Sequence, residues 1–417
     1  MSIRSMMIGG AGARRPDPPT SVSGTSGNAQ VEVSFSAPSF NGGSAITGYT
    51  VTASPGGATG TGSSSPITVT GLSNGTAYTF TVTATNAIGT SDASSASASV
   101  TPLDPPLFSF TNATFTNGGA VGRDGPGTSA ARSGMSGTPT PSDYNTNISY
   151  FNTVSGIQVF TVPKSGTYEL EARGASGSGG GPNGGGGYGA IIITRVSLTK
   201  SQRLGIVCGQ MGQNEQSTGA NGGGGGGSFI YDYDTNSLYV AAGGGGGIGN
   251  QSLTSNQHAN ANGTSGRPGS SSSGSDGDGN PGGSNGEAGA FGDYSYTAGP
   301  GAGWNTGANQ NRPSEPCSYP APVQRGAGRS GGFRGGAGYN ANPSNLWGGF
   351  GGGGGGSGAC NESGSGGGGG YSGGGVGNSC CASKGGGGGS YYTGSLQNAS
   401  LTNNSNLHGR VIVSFIS

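Results

Sequence analysis

The chain has 417 residues, of which 98 are glycine, 29% are hydrophobic and 8% are charged, with a formal net charge of zero. Both shares lie well below those of an ordinary globular protein, yet the absence of a charge excess sets the chain apart from charge-rich disordered sequences. The balanced charge argues against nucleic acid as a partner, and no apolar run approaches the length of a membrane-spanning helix.

Residues 1–16 carry Arg4, Arg14 and Arg15 beside Met6, Met7 and Ile8. That apolar patch is too short for a signal-peptide core, so no signal peptide is expected. Cations next to apolar side chains suit docking, and this stretch reads as an assembly arm that joins other subunits.

Residues 17–102 read as all-β. Apolar side chains alternate in Val31, Val33 and Phe35, in Tyr49 and Val51, and in Tyr78, Phe80, Val82 and Ala84. Turn signals separate the runs at Asn28, at Asn41 with Gly42, and at Asn74 with Gly75. Short strands at this spacing imply a sandwich. The strings PDPPTSVSGTSGNAQVEVSFSAPSFNGGSAITGYTVTAS and ITVTGLSNGTAYTFTVTATNAIGTS resemble a fibronectin type III domain. The resemblance places Tyr49 in the core of the third strand and Leu72 and Tyr78 at the corner before the sixth, with Phe35 where the family usually has Trp. It speaks to fold and is nearly silent on function.

Residues 103–417 read as a second all-β unit, opening on FSFTNATF and closing on GRVIVSFIS, where Val411, Val413 and Phe415 share a face. Strands are expected around Tyr168, Leu170 and Ala172, from Ala190 to Val196 and from Leu204 to Cys208. Pairing of the first and last strands of a jelly-roll-like sandwich would clamp a glycine insertion, about 174–395, between them. Within it, nearly pure glycine runs at 222–227, 243–247, 351–356, 366–370 and 385–389 alternate with β-forming pieces such as SFIY and SLYVAA. A flexible linker mixes glycine with serine and lacks such punctuation. Glycine can form extended threefold rods that pack with backbones almost touching. Each N–H and C=O must then find a neighbouring rod. Strand-anchored ends would offset the entropy that glycine loses on ordering.

The ordered set FTVPKSGTYELEARGASG, GGGGYGAIIIT, VCGQMG, GGGGGGSFI, LYVAAGGGGG and GGGGGSYY resembles the glycine-rich domain of the anaplastic lymphoma kinase and leukocyte tyrosine kinase receptors. That resemblance implies a sandwich like tumour necrosis factor with an inserted bundle of polyglycine II helices. The kinase and membrane span of those receptors are missing, so their signalling role does not carry over. The stretch FTNATFTNGGAVGRDGPG, ahead of ISYFNTVSGIQVFTVPKSGTYELEARGASG, resembles a module of tail-fibre and other virion proteins of aquatic phages.

Five cysteines, Cys208, Cys317, Cys360, Cys380 and Cys381, leave at least one without an intrachain partner. A disulfide from Cys360 to Cys380 or Cys381 would close a loop around a glycine run, while Cys208 reads as a small buried thiol. Asp276, Asp278, Asn280 and Glu287 fall at calcium-loop spacing, but Pro281 replaces the expected glycine and no helices flank them. No cofactor is therefore expected. His258 and His408 lack a catalytic partner signature and read as solvated loop residues, so no enzyme activity is expected. Tyr294, Tyr296, Trp304, Tyr319 and Trp347 sit among Gly, Ser and Asn, a setting suited to sugar rings, or else to covering a glycine bundle. Two functions are left. One is a phage tail-fibre or tail-tip adhesin on the virion surface, contacting host glycan or envelope protein and assembling as a homo-oligomer. The other is an extracellular fibre or decoration subunit with no specific receptor.

Overall fold

The computed structural model describes residues 12–104, 106–108, 110–120, 124–138, 149–179, 186–213, 222–248, 286–289, 300–305, 326–336, 348–354, 365–375, 385–402 and 407–417. It divides into two units, Met1–Pro106 and Leu107–Ser417. Nearly all regular structure is β; among the described residues the helical pieces are α1 (Thr128–Ser133) and a 3-10 turn at Arg329–Gly331. No helix among them is long and apolar enough to cross a membrane.

In the first unit the alternating runs become strands. They are β1 (Thr20–Gly27), β2 (Gln30–Ser36), β3 (Ile46–Ser54), β4 (Thr59–Gly62), β5 (Ile67–Thr70), β6 (Thr79–Asn86) and β7 (Gly89–Thr90). They form two antiparallel sheets, β1-β2-β5 and β4-β3-β6-β7. The period of two sends Val31, Val33 and Phe35 of β2 into one core with Tyr49 and Val51 of β3 and Phe80, Val82 and Ala84 of β6. Phe35 meets Tyr49 at 4.8 Å between ring centroids, so the phenylalanine fills an aromatic position in that core. The Tyr78 hydroxyl accepts the Ser73 N–H at 3.1 Å and locks the corner ahead of β6.

After β7 the chain covers the open edge of β6 with serine. Backbone N–H groups of Ser91, Ser94 and Ser97 donate to Ala84, Val82 and Phe80 carbonyls at 2.8 to 2.9 Å. The same three hydroxyls accept the Ala84, Val82 and Phe80 N–H groups at 2.9 to 3.1 Å. Every second residue of the edge strand is thus paired on both its N–H and its C=O, which removes a template for unwanted pairing.

The second unit carries β8 (Asn112–Thr116), β9 (Ser136–Thr138), β10 (Phe151–Val154), β11 (Ile157–Thr161), β12 (Gly166–Arg173), β13 (Ala190–Leu198), β14 (Arg203–Val207), β15 (Ser228–Asp232), β16 (Leu238–Ala242), β17 (Tyr391–Tyr392), β18 (Ser395–Leu401) and β19 (Arg410–Phe415). They make two sheets, β18-β13-β12-β19-β8-β9 and β10-β11-β14-β15-β16-β17. The last strand does pair with the first, with Val411 opposite Phe115 and Val413 opposite Ala113. Phe115, Phe160, Tyr168, Leu170, Ile192 and Ile206 lie among the buried residues between the sheets. Of the opening run FSFTNATF only the end is strand; Phe108 and Phe110 pack into the same core from outside it.

Strands of both sheets run on into glycine. Segment 174–179 continues β12 and 186–189 leads into β13, in one sheet. In the other, 209–213 continues β14, 222–227 leads into β15, and 243–248 continues β16. Packed sheets lie about 10 Å apart because side chains separate them. Past the strand ends the facing side chains shrink to those of glycine, alanine and serine and the two sheets merge. Ala175, beyond β12, donates to Gly226 O at 2.9 Å and accepts from Gly245 N at 2.9 Å, so backbones of opposite sheets bond directly.

Around 222–227 the donors rotate through three neighbours. Gly222 and Gly225 bond Ile248 and Gly245; Gly223 and Gly226 bond Gln213 and Gln210; Gly224 and Gly227 bond Gly354 and Gly351. A strand alternates with period two, whereas this segment repeats every three residues and is bonded on three sides. There is no room for a side chain. A Cβ on Gly226 would stand 1.7 Å from the Phe350 carbonyl oxygen, on Gly245 1.8 Å from that of Gly187, and on Gly222 1.9 Å from that of Ser178.

Candidate functional site

In sheet β10-β11-β14-β15-β16-β17 the central strand β15 is buried on both faces. Alternation along β15 turns Ile230 toward the core between the sheets and Phe229 and Tyr231 toward the other side. There they meet Trp304, Phe333 and Phe350 of the glycine region, with Phe229 4.8 Å from Phe333 and Tyr231 5.3 Å from Trp304 between centroids. Phe333 holds φ +57 and Gly351 and Gly352 hold +99 and +86, a left-handed turn that folds the chain back beneath the rings. Tyr371 stacks on Tyr391 at 4.7 Å beside the same seam.

This corrects one sequence expectation. Trp304 is 7% exposed and belongs to a core, with its N–H donating to the Tyr371 carbonyl at 2.8 Å. The Arg329 guanidinium lies 5.6 Å from its ring centroid. Trp304 therefore covers a sheet face and presents no ring to a ligand.

The other end of the glycine region bears differently on binding. Where the rods end away from the sandwich, Gly222 N bonds Ile248 O, Gly366 N bonds Gly222 O and Gly385 N bonds Gly247 O, at 2.8 to 3.1 Å. Gly354 N bonds Gly367 O, Gly386 N bonds Gly375 O, and Gly348 N bonds Gly336 O. Gly289 N bonds Gly301 O, which lies beside Gly373. The residues flanking 180–185, 214–221, 290–299, 337–347, 355–364 and 376–384 are thus gathered at one end.

Tyr294 and Tyr296 fall in the third of these segments, Trp347 in the fourth, Cys360 in the fifth, and Cys380 and Cys381 in the last. All six residues lie outside the described residues, as do Tyr319, Cys317, Asp276, Asp278, Asn280 and His258. Of the calcium-spaced set, Glu287 is described; it is exposed and its carbonyl accepts the Gly373 N–H at 2.9 Å. No group of three or more metal-binding side chains occurs among the described residues.

Of the proposed arm, Arg4, Met6, Met7 and Ile8 lie outside the described residues. Arg14 and Arg15 do not project as an arm. Arg14 exchanges a backbone bond with Gly42 at 2.8 Å, its guanidinium lies 4.7 Å from the Phe40 ring centroid, and Arg15 pairs with Asp92 at 3.0 Å. Both side chains remain more than half exposed while making these contacts.

Cys208 is a buried free thiol beside Gln158, and burial pushes its pKa up to about 12, which keeps it protonated and unreactive. His408 departs from the solvated-loop expectation. It is half-buried, and its Nδ1 accepts the Met211 N–H at 3.1 Å, tying the entry to β19 to the rod after β14. Burial lowers its pKa. Sequence offered no signal for that contact, because 197 residues separate the partners.

Residues 17–101 match the family model of the fibronectin type III domain. This part of the chain is a fibronectin type III domain. Among solved structures, a multidomain piece of titin is 28% identical over 21% of this chain and 32% of its own, with a TM-score of 0.21. The twitchin kinase region from C. elegans is 27% identical over 21% of this chain and 17% of its own, at TM-score 0.20. The FN1–FN3 domains of chicken CNTN1 are 14% identical, covering 54% of this chain and 63% of theirs, at TM-score 0.21. The chain thus spans about a third and a sixth of the length of the first two. No curated protein sequence matches it. The fibronectin type III assignment makes the first unit a β-sandwich module.

Proposed function

We propose that this chain is a structural virion protein of a phage, a tail-fibre or tail-tip adhesin that contacts the host surface. The observation that carries the reading is the gathering of six segment roots at one end of a scaffold whose other end is set in a β-sandwich. The glycine runs act as polyglycine II helices. They are stiff because every side is bonded to another backbone, and the segment roots sit on them as the roots of binding loops sit on a rigid scaffold. The segments rooted there hold Tyr294, Tyr296 and Trp347, rings suited to sugar. The fibronectin type III domain serves as a spacer, and residues 1–16 join other subunits.

A subunit with no receptor shares the scaffold, and the burial of Trp304 favours it by removing one of the candidate binding rings. The test is a variant carrying Tyr294→Ala, Tyr296→Ala and Trp347→Ala, checked for unchanged melting and then measured for adsorption to host cells or purified envelope polysaccharide. Adsorption should fall at least about tenfold, some 1.4 kcal/mol. Unchanged adsorption with an intact fold identifies a structural subunit instead.

A further inference from the structure

The second unit has an open cleft of about 580 Å³. Three distant stretches of chain wall it: 124–128 ahead of α1, 153–156 at the β10–β11 turn, and 331–334 of the glycine region. Phe350 closes the floor, its ring tight against Gly125. The Asp124 carboxylate accepts from Arg334 Nε at 2.7 Å and joins the first wall to the third. The Asp124 carbonyl accepts from the buried Gln210 amide at 2.9 Å, which anchors that wall to the rod after β14. Thr128 and Thr153 bond each other through their hydroxyls, and Ser155 completes the polar lining.

The volume lies in the range of ligand sites. The chemistry narrows the ligand. One carboxylate and one guanidinium in mutual contact leave no net charge, so the cleft favours neither a phosphate nor a cation. Both side chains are more than half exposed and keep hydrogen-bonding capacity toward solvent: a carboxylate has about four acceptor sites and a guanidinium five donors. With threonine and serine hydroxyls around them, they match an uncharged ligand dense in hydroxyl groups. Phe350 is fully buried, so its own ring offers little surface to a ligand.

We propose that this cleft binds a neutral oligosaccharide, with Asp124 and Arg334 sharing hydrogen bonds to adjacent sugar hydroxyls. The proposal rests on the surface-recognition reading for the source of the sugar and adds a site distinct from the rod-end segments.

Gly127 allows a clean test. It lines the cleft, its φ of −72 suits any residue, and a Cβ there meets nothing within 4 Å. Gly127→Phe should fill the cleft without disturbing the fold. The experiment probes an array of neutral bacterial capsule and O-antigen oligosaccharides with the purified full chain. Beside it run Gly127→Phe and Arg334→Gln. The wild type should retain a set of neutral glycans, while Gly127→Phe and Arg334→Gln lose at least about tenfold in affinity for them. Should Gly127→Phe melt early, the exposed Arg334→Gln decides alone. Absence of any neutral glycan bound by the wild type, or binding kept by Arg334→Gln, overturns the cleft. Array binding through the cleft combined with normal host adsorption by the cleft variants leaves the cleft standing and removes it from host recognition.

Discussion

The strands of the second unit are held together in two different ways along their own length. Within the sandwich the two sheets are spaced by Phe115, Phe160, Tyr168 and Ile206, and what is buried is side chain. A few residues further, at Ala175, Gly226 and Gly245, the same chains touch backbone to backbone, and what is buried is the peptide group. The first arrangement draws on apolar area removed from water. The second has almost no such area and depends on pairing every N–H and C=O that it takes out of water. The sandwich holds the chain ends in register, and glycine allows the sheets to close on each other once the side chains stop. Two local interactions tie the zones: the seam of Phe229, Tyr231, Trp304 and Phe333, and the bond from Met211 to His408.

Substitutions separate the two zones. Trp304→Ala removes a large ring from the seam and should destabilise the second unit by about 3 to 5 kcal/mol, the usual loss for a buried aromatic. Denaturant melts should show it, with any loss of binding following the loss of fold; a variant that melts normally would return Trp304 to the surface. Gly226→Ala should cost about 3 kcal/mol, the upper end of overpacking, because its methyl meets the Phe350 carbonyl at 1.7 Å. Gly127→Ala is the control, expected neutral or slightly stabilising in the same melts. Equal melting of the two would mean that the rods tolerate side chains.

In the first unit, Ser94→Ala strips the partner from the buried Val82 N–H and should cost about 1 to 2 kcal/mol in that unit alone. The smallest effect concerns pH. His408 is neutral in the fold, with its pKa lowered by burial below the ordinary 6.5. The unfolded chain therefore takes up the proton first as pH falls. Its contribution is complete above about pH 6.5 and is lost as pH drops through that value toward the lowered one. His408→Gln should flatten this part of the stability profile of the second unit; an unchanged profile would remove His408 from the tie.

The first unit was legible in sequence almost residue by residue. Period-two alternation and Asn-Gly turns are local signals, and they located the cores of β2, β3 and β6. The serine cover after β7 was not, since SDASSASAS carries no apolar pattern and its pairing is seen only against β6. In the second unit β12 to β16 were readable for the same local reason, while the pairing of β8 with β19 was expected from the habit of jelly-roll-like sandwiches. The threefold bonding followed from the purity of the runs. The partners of each rod did not, because a glycine run has no side chains to encode register; the flanking strands set it. Trp304 was open to two readings because an aromatic among glycines looks alike whether it meets a ligand or a sheet. The cleft was invisible, as its walls come from three parts of the chain more than 20 residues apart.

The central claim is that the glycine runs are ordered by backbone pairing on all sides, and amide hydrogen exchange measures it most directly. Amides of 222–227, 243–247 and 366–370 should exchange as slowly as those of β12 and β15 in the same unit, and should open with them in one step. Exchange of these glycines near the rate of an unstructured chain, while β12 and β15 stay protected, would contradict the account and leave the runs as linkers between strands.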